Sequence, residues 1–141
     1  MNLITMAKLI LAKTFKNRIK NGKLDKKRAA ALTILESFDL GFVPKRVYWL
    51  YSLNNKEVRG GHRHKKVKHA LICVNGGCEV SVNNGIDQNK LFKLDRPDKC
   101  LLLKPRDWHT MEKFKKGTVL LVLASTNYNP RDYIYEPYKR K

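Results

Sequence analysis

Three of the four histidines in this chain, His62, His64 and His69, fall within RGGHRHKKVKHALICVNGGCEVSVNNG, residues 59–85, and the fourth, His109, sits in PRDWHTM. Imidazole, with an unperturbed pKa of about 6.5, suits proton transfer near neutral pH and is also a common metal ligand. His62 and His64 are two positions apart. In an extended strand that spacing puts both rings on one face and Arg63 on the other, with Cα atoms about 6.6 Å apart. Such a pair can flank one small molecule or grip one metal. The following run, HALICVN, is rich in Leu, Ile and Val and is bounded by Gly76-Gly77, so it reads as a second strand. His69, Leu71 and Cys73 then share a face, which returns His69 to the same interior.

The elements that must hold these side chains read as short strands. Residues 1–27 fit neither the period of a strand nor that of a helix, and Asn21-Gly22 marks a turn. From Arg28, AAALTILESF favours helix by propensity. PKRVYWLYSL favours strand, with Val47, Trp49 and Tyr51 on one face and Tyr48 and Leu50 on the other. Asn54-Asn55-Lys56 turns the chain, and Asn83-Asn84-Gly85 is a hairpin signal after CEVSV. Leu91–Leu94, Cys100–Leu103 and Thr118–Ala124 supply three more apolar runs. Strands at this interval, with no long amphipathic helix between them, predict an all-β sandwich or barrel. The tail TNYNPRDYIYEPYKRK holds four of the six tyrosines, and such a tail packs over a site or a subunit contact, or lies free on the surface.

At 141 residues and 43% hydrophobic, the chain is one domain able to bury its own core. Lys8 and Lys13 interrupt the apolar start, so neither a membrane span nor a secretory signal is expected, and the cytoplasm is the expected location. Cys73, Cys78 and Cys100 lie in or beside apolar runs and read as buried thiols, since their spacing is not that of a zinc pair. The formal charge of +18 raises nucleic-acid binding as a possibility, but the basic residues run from Lys8 to Lys141 without a recognisable RNA- or DNA-binding motif. A basic rim attracts a nucleotide diphosphate equally well.

The spacing of His62, His64, His69 and Gly76 resembles the first signature of the cupin superfamily, and Lys104-Pro105-Arg106-Asp107-Trp108-His109 resembles a shortened second one. The ordered series KRVYW, RGGHRHKK, LICVNGGCEVSVNNG, PRDWHTM and LASTNYNPRDYI is more specific: over roughly residues 28–136 it resembles the sugar-nucleotide 3,4-ketoisomerases, which act on dTDP-4-keto-6-deoxyglucose in aminosugar biosynthesis for bacterial surface polysaccharides. The resemblance implies a cupin jelly-roll barrel over residues 28–141, preceded by a short basic extension (1–27) and closed by the Tyr-rich tail. It further implies a homodimer with exchanged β-strands and catalysis without metal or other cofactor. His62 and His64 match the histidines that carry the proton transfers, assisted by Tyr48 and Arg59. The family commonly has glutamine where this chain has His69, so a third imidazole faces the implied site. Its Arg-Gly turn ahead of the second strand is here Arg28-Ala29-Ala30-Ala31. Arg28 and His109 match the residues of members that give the galacto product, which points to dTDP-3-keto-6-deoxygalactose. Trp49, Tyr133 and Tyr135 are candidates for the thymine surface.

Two other function classes stay open on the residues alone. Four converging imidazoles would also make a metal-dependent cupin enzyme, and the charge would also suit an RNA or polyanion-binding module. A deoxysugar 3,5-epimerase is a nearer alternative, but its histidine and aspartate arrangement is not apparent in the sequence.

Overall fold

The computed structural model describes residues 7–17, 19–24, 30–86 and 89–139. Its strands are β1 (Lys8–Leu11), β2 (Lys13–Asn17), β3 (Ile19–Lys20), β4 (Lys23–Leu24), β5 (Ala30–Ile34), β6 (Arg46–Leu50), β7 (Arg59–His64), β8 (His69–Asn75), β9 (Cys78–Asn83), β10 (Lys90–Leu94), β11 (Lys99–Leu103), β12 (Trp108–Glu112), β13 (Val119–Ala124) and β14 (Tyr133–Ile134). One sheet runs β1-β11-β8-β13-β6 and a second β10-β9-β12-β7-β14; β2 pairs with β5, and β3 with β4. All pairings are antiparallel. The two five-stranded sheets face each other as in a jelly roll, in keeping with the all-β expectation.

Period-2 patterning builds this sandwich. In β9 and β13 every second residue is buried: Cys78, Val80 and Val82, then Leu120, Val122 and Ala124. Leu71, Val80, Leu94, Leu101, Phe114, Leu120 and Val122 fill the space between the sheets. The first sheet is apolar on its outer face as well, where Ala70, Ile72 and Cys100 pack with Leu102, Leu121 and Leu123 under Leu35, Leu40 and Phe42. That double burial explains why HALICVN is a continuous apolar run rather than an alternating one. The three cysteines are buried free thiols, with Cys73 Sγ and Cys78 Sγ 3.6 Å apart.

One local expectation needs correction. AAALTILESF does not form a long helix: Ala30–Ile34 is a strand paired with Lys13–Asn17, and the only α-helix among the described residues is one turn, α1 (Ser37–Leu40). β-Branched Thr33 and Ile34 and a ready strand partner override alanine propensity. Glu36 and Asp39 close a reciprocal capping box on α1, and Gly41 ends it at φ 74, so propensity is exhausted after one turn. Asn83-Asn84-Gly85 turns the chain into the antiparallel β9–β10 hairpin as expected, with Asn83 Oδ1 accepting from Gly85 N at 2.8 Å, and the strands rejoin at Val82 and Lys90, a longer connection than a two-residue hairpin. Asn21-Gly22, both at positive φ, is such a tight turn between β3 and β4. Lys8–Leu11, within the stretch read as an extension, is an edge strand of the first sheet. No helix among the described residues is long and apolar enough to cross a membrane.

Candidate active site

The site opens between the two sheets where β7, β8, β12 and β6 approach. On β7 the register decides everything. Arg59 pairs with Met111, Gly60 with Thr110 and His62 with His109, so the ladder slips by one residue at Gly61. Paired residues of an antiparallel ladder point to the same face. Met111 and His109, two apart on β12, are buried and point inward, so Arg59 and His62 face the same way. Without the slip, strict alternation would put Arg59 with Arg63 on the outer face. Gly60 and Gly61 supply this bulge, with φ of 84° and 76°, which only glycine adopts readily. A Cβ on Gly60 would lie 2.7 Å from the His109 carbonyl oxygen, so the close strand approach also excludes any side chain there.

Tyr48, Arg59, His62, His69, His109 and Tyr133 line one cavity of about 150 Å³. A cavity of that order holds a single six-membered ring. His62 is its hub, with ring centroids 4.8 Å from His64, 5.0 Å from His109, 4.8 Å from Tyr133 and 6.2 Å from Tyr135. His64 stands behind this wall, only 3% exposed, against His69 at 4.7 Å and Tyr133 at 4.7 Å. The ring of His69 touches that of Tyr48 as well, at 6.4 Å. Tyr135 stacks on Tyr133 at 6.0 Å and is mostly exposed, at the rim.

Desolvation sets the protonation states. Burial lowers the pKa of His62, partly opposed by its bond to the Gly60 backbone. It lowers His64 to about 4, helped by the nearby His62 charge and opposed by Asp132. It lowers His109 to about 4 and His69 to about 2, the latter also through the charges of His64 and His109. All four rings are therefore neutral near pH 7, able to accept protons. Tyr48 moves the other way, to about 12, through burial and the neighbouring Tyr133, so it remains a hydroxyl donor. His109 is oriented by its Nδ1 contact to the Asp107 carbonyl oxygen at 2.9 Å, which fixes Nδ1–H as the donor.

Not every sequence candidate joins the cavity. Trp49 is 57% exposed on the outer face of β6, because strand alternation cannot turn it inward beside Tyr48. It lines, with Arg59, a separate surface depression of about 360 Å³. Arg28 lies outside the described residues. Among the described residues no three His, Cys, Asp or Glu side chains are grouped to hold a metal ion.

Three contributors were missed in the sequence, two of them without any local signal. Asp132, 68 positions from His64, accepts from its Nδ1 at 3.1 Å, so a histidine–aspartate pair is present after all. Arg46 lies over both Tyr48 and Tyr128, at 5.2 Å and 5.6 Å. The bulge at Gly60-Gly61 had a visible signal, paired glycines inside a strand. The tail that delivers Asp132 and Tyr133 packs over the site: β14 pairs with β7, Tyr133 opposite His64. It is tied down by Trp108 Nε1 donating to the Tyr135 carbonyl at 3.3 Å, by Tyr138 OH donating to the Arg106 carbonyl at 2.9 Å, and by Arg63 over the Tyr138 ring at 4.4 Å.

Known proteins share this arrangement of chain and fold. The family model described as FdtA: WxcM-like, C-terminal, matches residues 15–140. A TDP-4-oxo-6-deoxy-alpha-D-glucose-3,4-oxoisomerase from Aneurinibacillus thermoaerophilus is 36% identical over 120 residues, 84% of this chain and 86% of that protein. Among solved structures, QdtA, a sugar 3,4-ketoisomerase from Thermoanaerobacterium thermosaccharolyticum in complex with TDP, is 34% identical, with 95% of this chain and 90% of that one covered and a TM-score of 0.81. A histidine-to-asparagine mutant of the same QdtA, in complex with TDP-4-keto-6-deoxyglucose, superposes at a TM-score of 0.78 with 32% identity and the same coverage of both chains.

Proposed function

The chain belongs to the FdtA-like family of TDP-sugar 3,4-ketoisomerases, and from that membership we propose the substrate, product and residue roles of its reaction. The substrate is dTDP-4-keto-6-deoxyglucose, and the ketone moves from C4 to C3 without a redox cofactor. The observation that carries this reading is the single-ring cavity with neutral His62 at its centre and Arg59, Tyr48 and His109 around it.

The C4 carbonyl acidifies the C3 hydrogen. His62 accepts that proton as general base, which a neutral imidazole in reach of a bound ring supports. The resulting enediolate oxygen is held by the Arg59 guanidinium and the Tyr48 hydroxyl. His62 returns a proton to C4, while His64 and Tyr48 move the hydroxyl hydrogen from one oxygen to the other. His69, in ring contact with both His64 and Tyr48, lies along that path. Atoms balance: one C–H and one O–H break, one of each forms. His109 packs against His62, and we assign it, with Arg28, to shaping the face from which C4 is protonated, giving dTDP-3-keto-6-deoxygalactose.

The cavity admits the sugar alone, so the nucleoside diphosphate lies over the rim, where exposed Tyr135 offers an aromatic surface. Trp49 is reassigned from thymine to subunit contact. With Val47 and Val74 it extends the outer apolar face of the first sheet, all three at least 46% exposed, an area that suits a second copy of the chain. β1 begins at the edge of that same sheet and is the strand we propose is exchanged. The reaction of a nucleotide-activated sugar in this way belongs in the cytoplasm.

His62→Asn tests the assignment of the base. Turnover should fall at least about 10³-fold while isothermal titration with TDP still gives an affinity within about threefold of the parent enzyme. Near-normal turnover would remove His62 from the role.

A further inference from the structure

Asp132 is the only carboxylate that reaches a histidine among the described residues, and nothing in the reaction outlined above uses it. The fold goes to some length to place it. Asn129 caps the 3₁₀ turn Pro130–Asp132, its side chain accepting from Arg131 N at 3.0 Å. The Asp132 carbonyl then accepts from Lys65 N at 2.9 Å, and its carboxylate divides its two oxygens: Oδ1 accepts from Lys66 N at 2.9 Å, Oδ2 faces His64 Nδ1 at 3.1 Å. The pair is dry, the two side chains being 2% and 11% exposed.

A carboxylate oxygen has only lone pairs to offer, so His64 must carry its hydrogen on Nδ1. Nε2 is then a bare lone pair. That atom is buried and has no hydrogen-bond partner among the described residues, although a buried polar atom ordinarily has one. We propose that Asp132 is a positioning residue of the isomerisation: it holds His64 as the Nδ1–H tautomer, so that Nε2, behind the cavity wall, accepts the proton that leaves the substrate hydroxyl by way of Tyr48 and His69, whose ring lies against both Tyr48 and His64, and it stabilises the imidazolium until that proton is handed back. No proton reaches Asp132 itself, and the relay returns to its starting state each turnover. The proton-transfer half of this inference rests on the ketoisomerase reading; the tautomer half does not.

The division of the carboxylate makes the test sharp. In Asp132→Asn the amide oxygen can keep the Lys66 N–H only by turning its NH₂ towards His64 Nδ1. That NH₂ donates, so Nδ1 must become an acceptor and the hydrogen moves to Nε2. Long-range ¹H–¹⁵N NMR of the substrate-free enzyme, with the His64 signals assigned by His64→Asn, reads the tautomer directly. The expected result is hydrogen on Nδ1 in the parent protein and on Nε2 in Asp132→Asn, with kcat down about 100-fold and KM within about threefold. A tether without a proton-positioning role would lower thermal stability but leave the tautomer and the kcat-to-KM split unchanged. Hydrogen on Nε2 in the parent protein overturns the inference whether or not the variant folds, and so does a folded Asp132→Asn enzyme with kcat within threefold of the parent. Should the parent protein carry Nδ1–H and yet leave dTDP-4-keto-6-deoxyglucose unchanged, the assigned reaction fails and with it the catalytic half of the proposal, while the orientation of His64 stands.

Discussion

Replacing Gly60 by alanine should damage this enzyme far more than replacing Gly61, although the two residues are neighbours with the same backbone handedness. Both have φ near +80°, so an L side chain at either position costs about 1–2 kcal/mol. Around Gly61 a Cβ would meet nothing within 4 Å, whereas at Gly60 it would meet the His109 carbonyl oxygen at 2.7 Å and Thr110 Cα at 3.3 Å. Both are backbone atoms of the paired strand, so no side chain can swing aside. Overpacking of this kind adds about 1–3 kcal/mol, for a total of roughly 2–5 kcal/mol in Gly60→Ala. In a chain of this size that corresponds to a fall in Tm of about 5–15 °C, against about 2–6 °C for Gly61→Ala. Function should suffer beyond stability. If β7 and β12 part to make room, the slip that turns Arg59 onto the His62 face is lost, and the bond from His62 to the Gly60 backbone with it. The assay is differential scanning calorimetry on both variants, with initial rates measured well below their melting temperatures. Equal melting temperatures for the two variants, or a Gly60→Ala enzyme with full activity, would refute the reasoning that the bulge and its close approach build the site.

Two further outcomes follow from other parts of the molecule. His64, His69 and His109 titrate lower in the folded state, at about 4, 2 and 4, than the about 6.5 of an unfolded chain. Between these limits the unfolded state binds more protons, so their contribution to stability is fully present above about pH 6.5 and is lost as pH falls to about 4, and for His69 on towards about 2. Tm at constant ionic strength should fall below about pH 6.5, and His69→Gln, which removes one titrating ring, should make that fall shallower; an unchanged slope in the variant would contradict the assigned shift. The exposed apolar strip of Val47, Trp49 and Val74 should bring two chains together, so light scattering after size exclusion should give twice the chain mass of 16.4 kDa, and Trp49→Glu should shift it towards one copy. A parent protein that stays at the single-chain mass would remove the subunit-contact role of Trp49.

Much of the fold was legible because its signals are local. Alternating burial in CEVSV and VLLVLA, turn residues at Asn21-Gly22 and Asn54-Asn55, and the apolar run HALICVN all report on neighbours in sequence. The inward pairing of His62 with His64, and the return of His69 to the same interior, follow from strand period alone. Propensity misled where a partner strand decided the outcome, at Ala30–Ile34. Strand alternation had already set Trp49 against Tyr48, and the structure keeps them on opposite faces. What no local signal could report is contact across the chain. Asp132 reaches His64 because a capped 3₁₀ turn and a two-residue strand fold the tail back along β7, and that docking is written in the geometry of the barrel wall rather than in the spacing of either residue. Likewise Arg59 reads as outward-facing on simple alternation until the bulge is taken into account.

The most direct measurement is NMR of dTDP-4-keto-6-deoxyglucose incubated with the protein in deuterated water. The ketone should disappear from C4 and appear at C3, with the new hydrogen at C4 in the galacto configuration and no exchange at C5. A substrate that stays unchanged, or that gains deuterium at C5 while keeping its ketone at C4, would contradict proton transfer by His62 between C3 and C4.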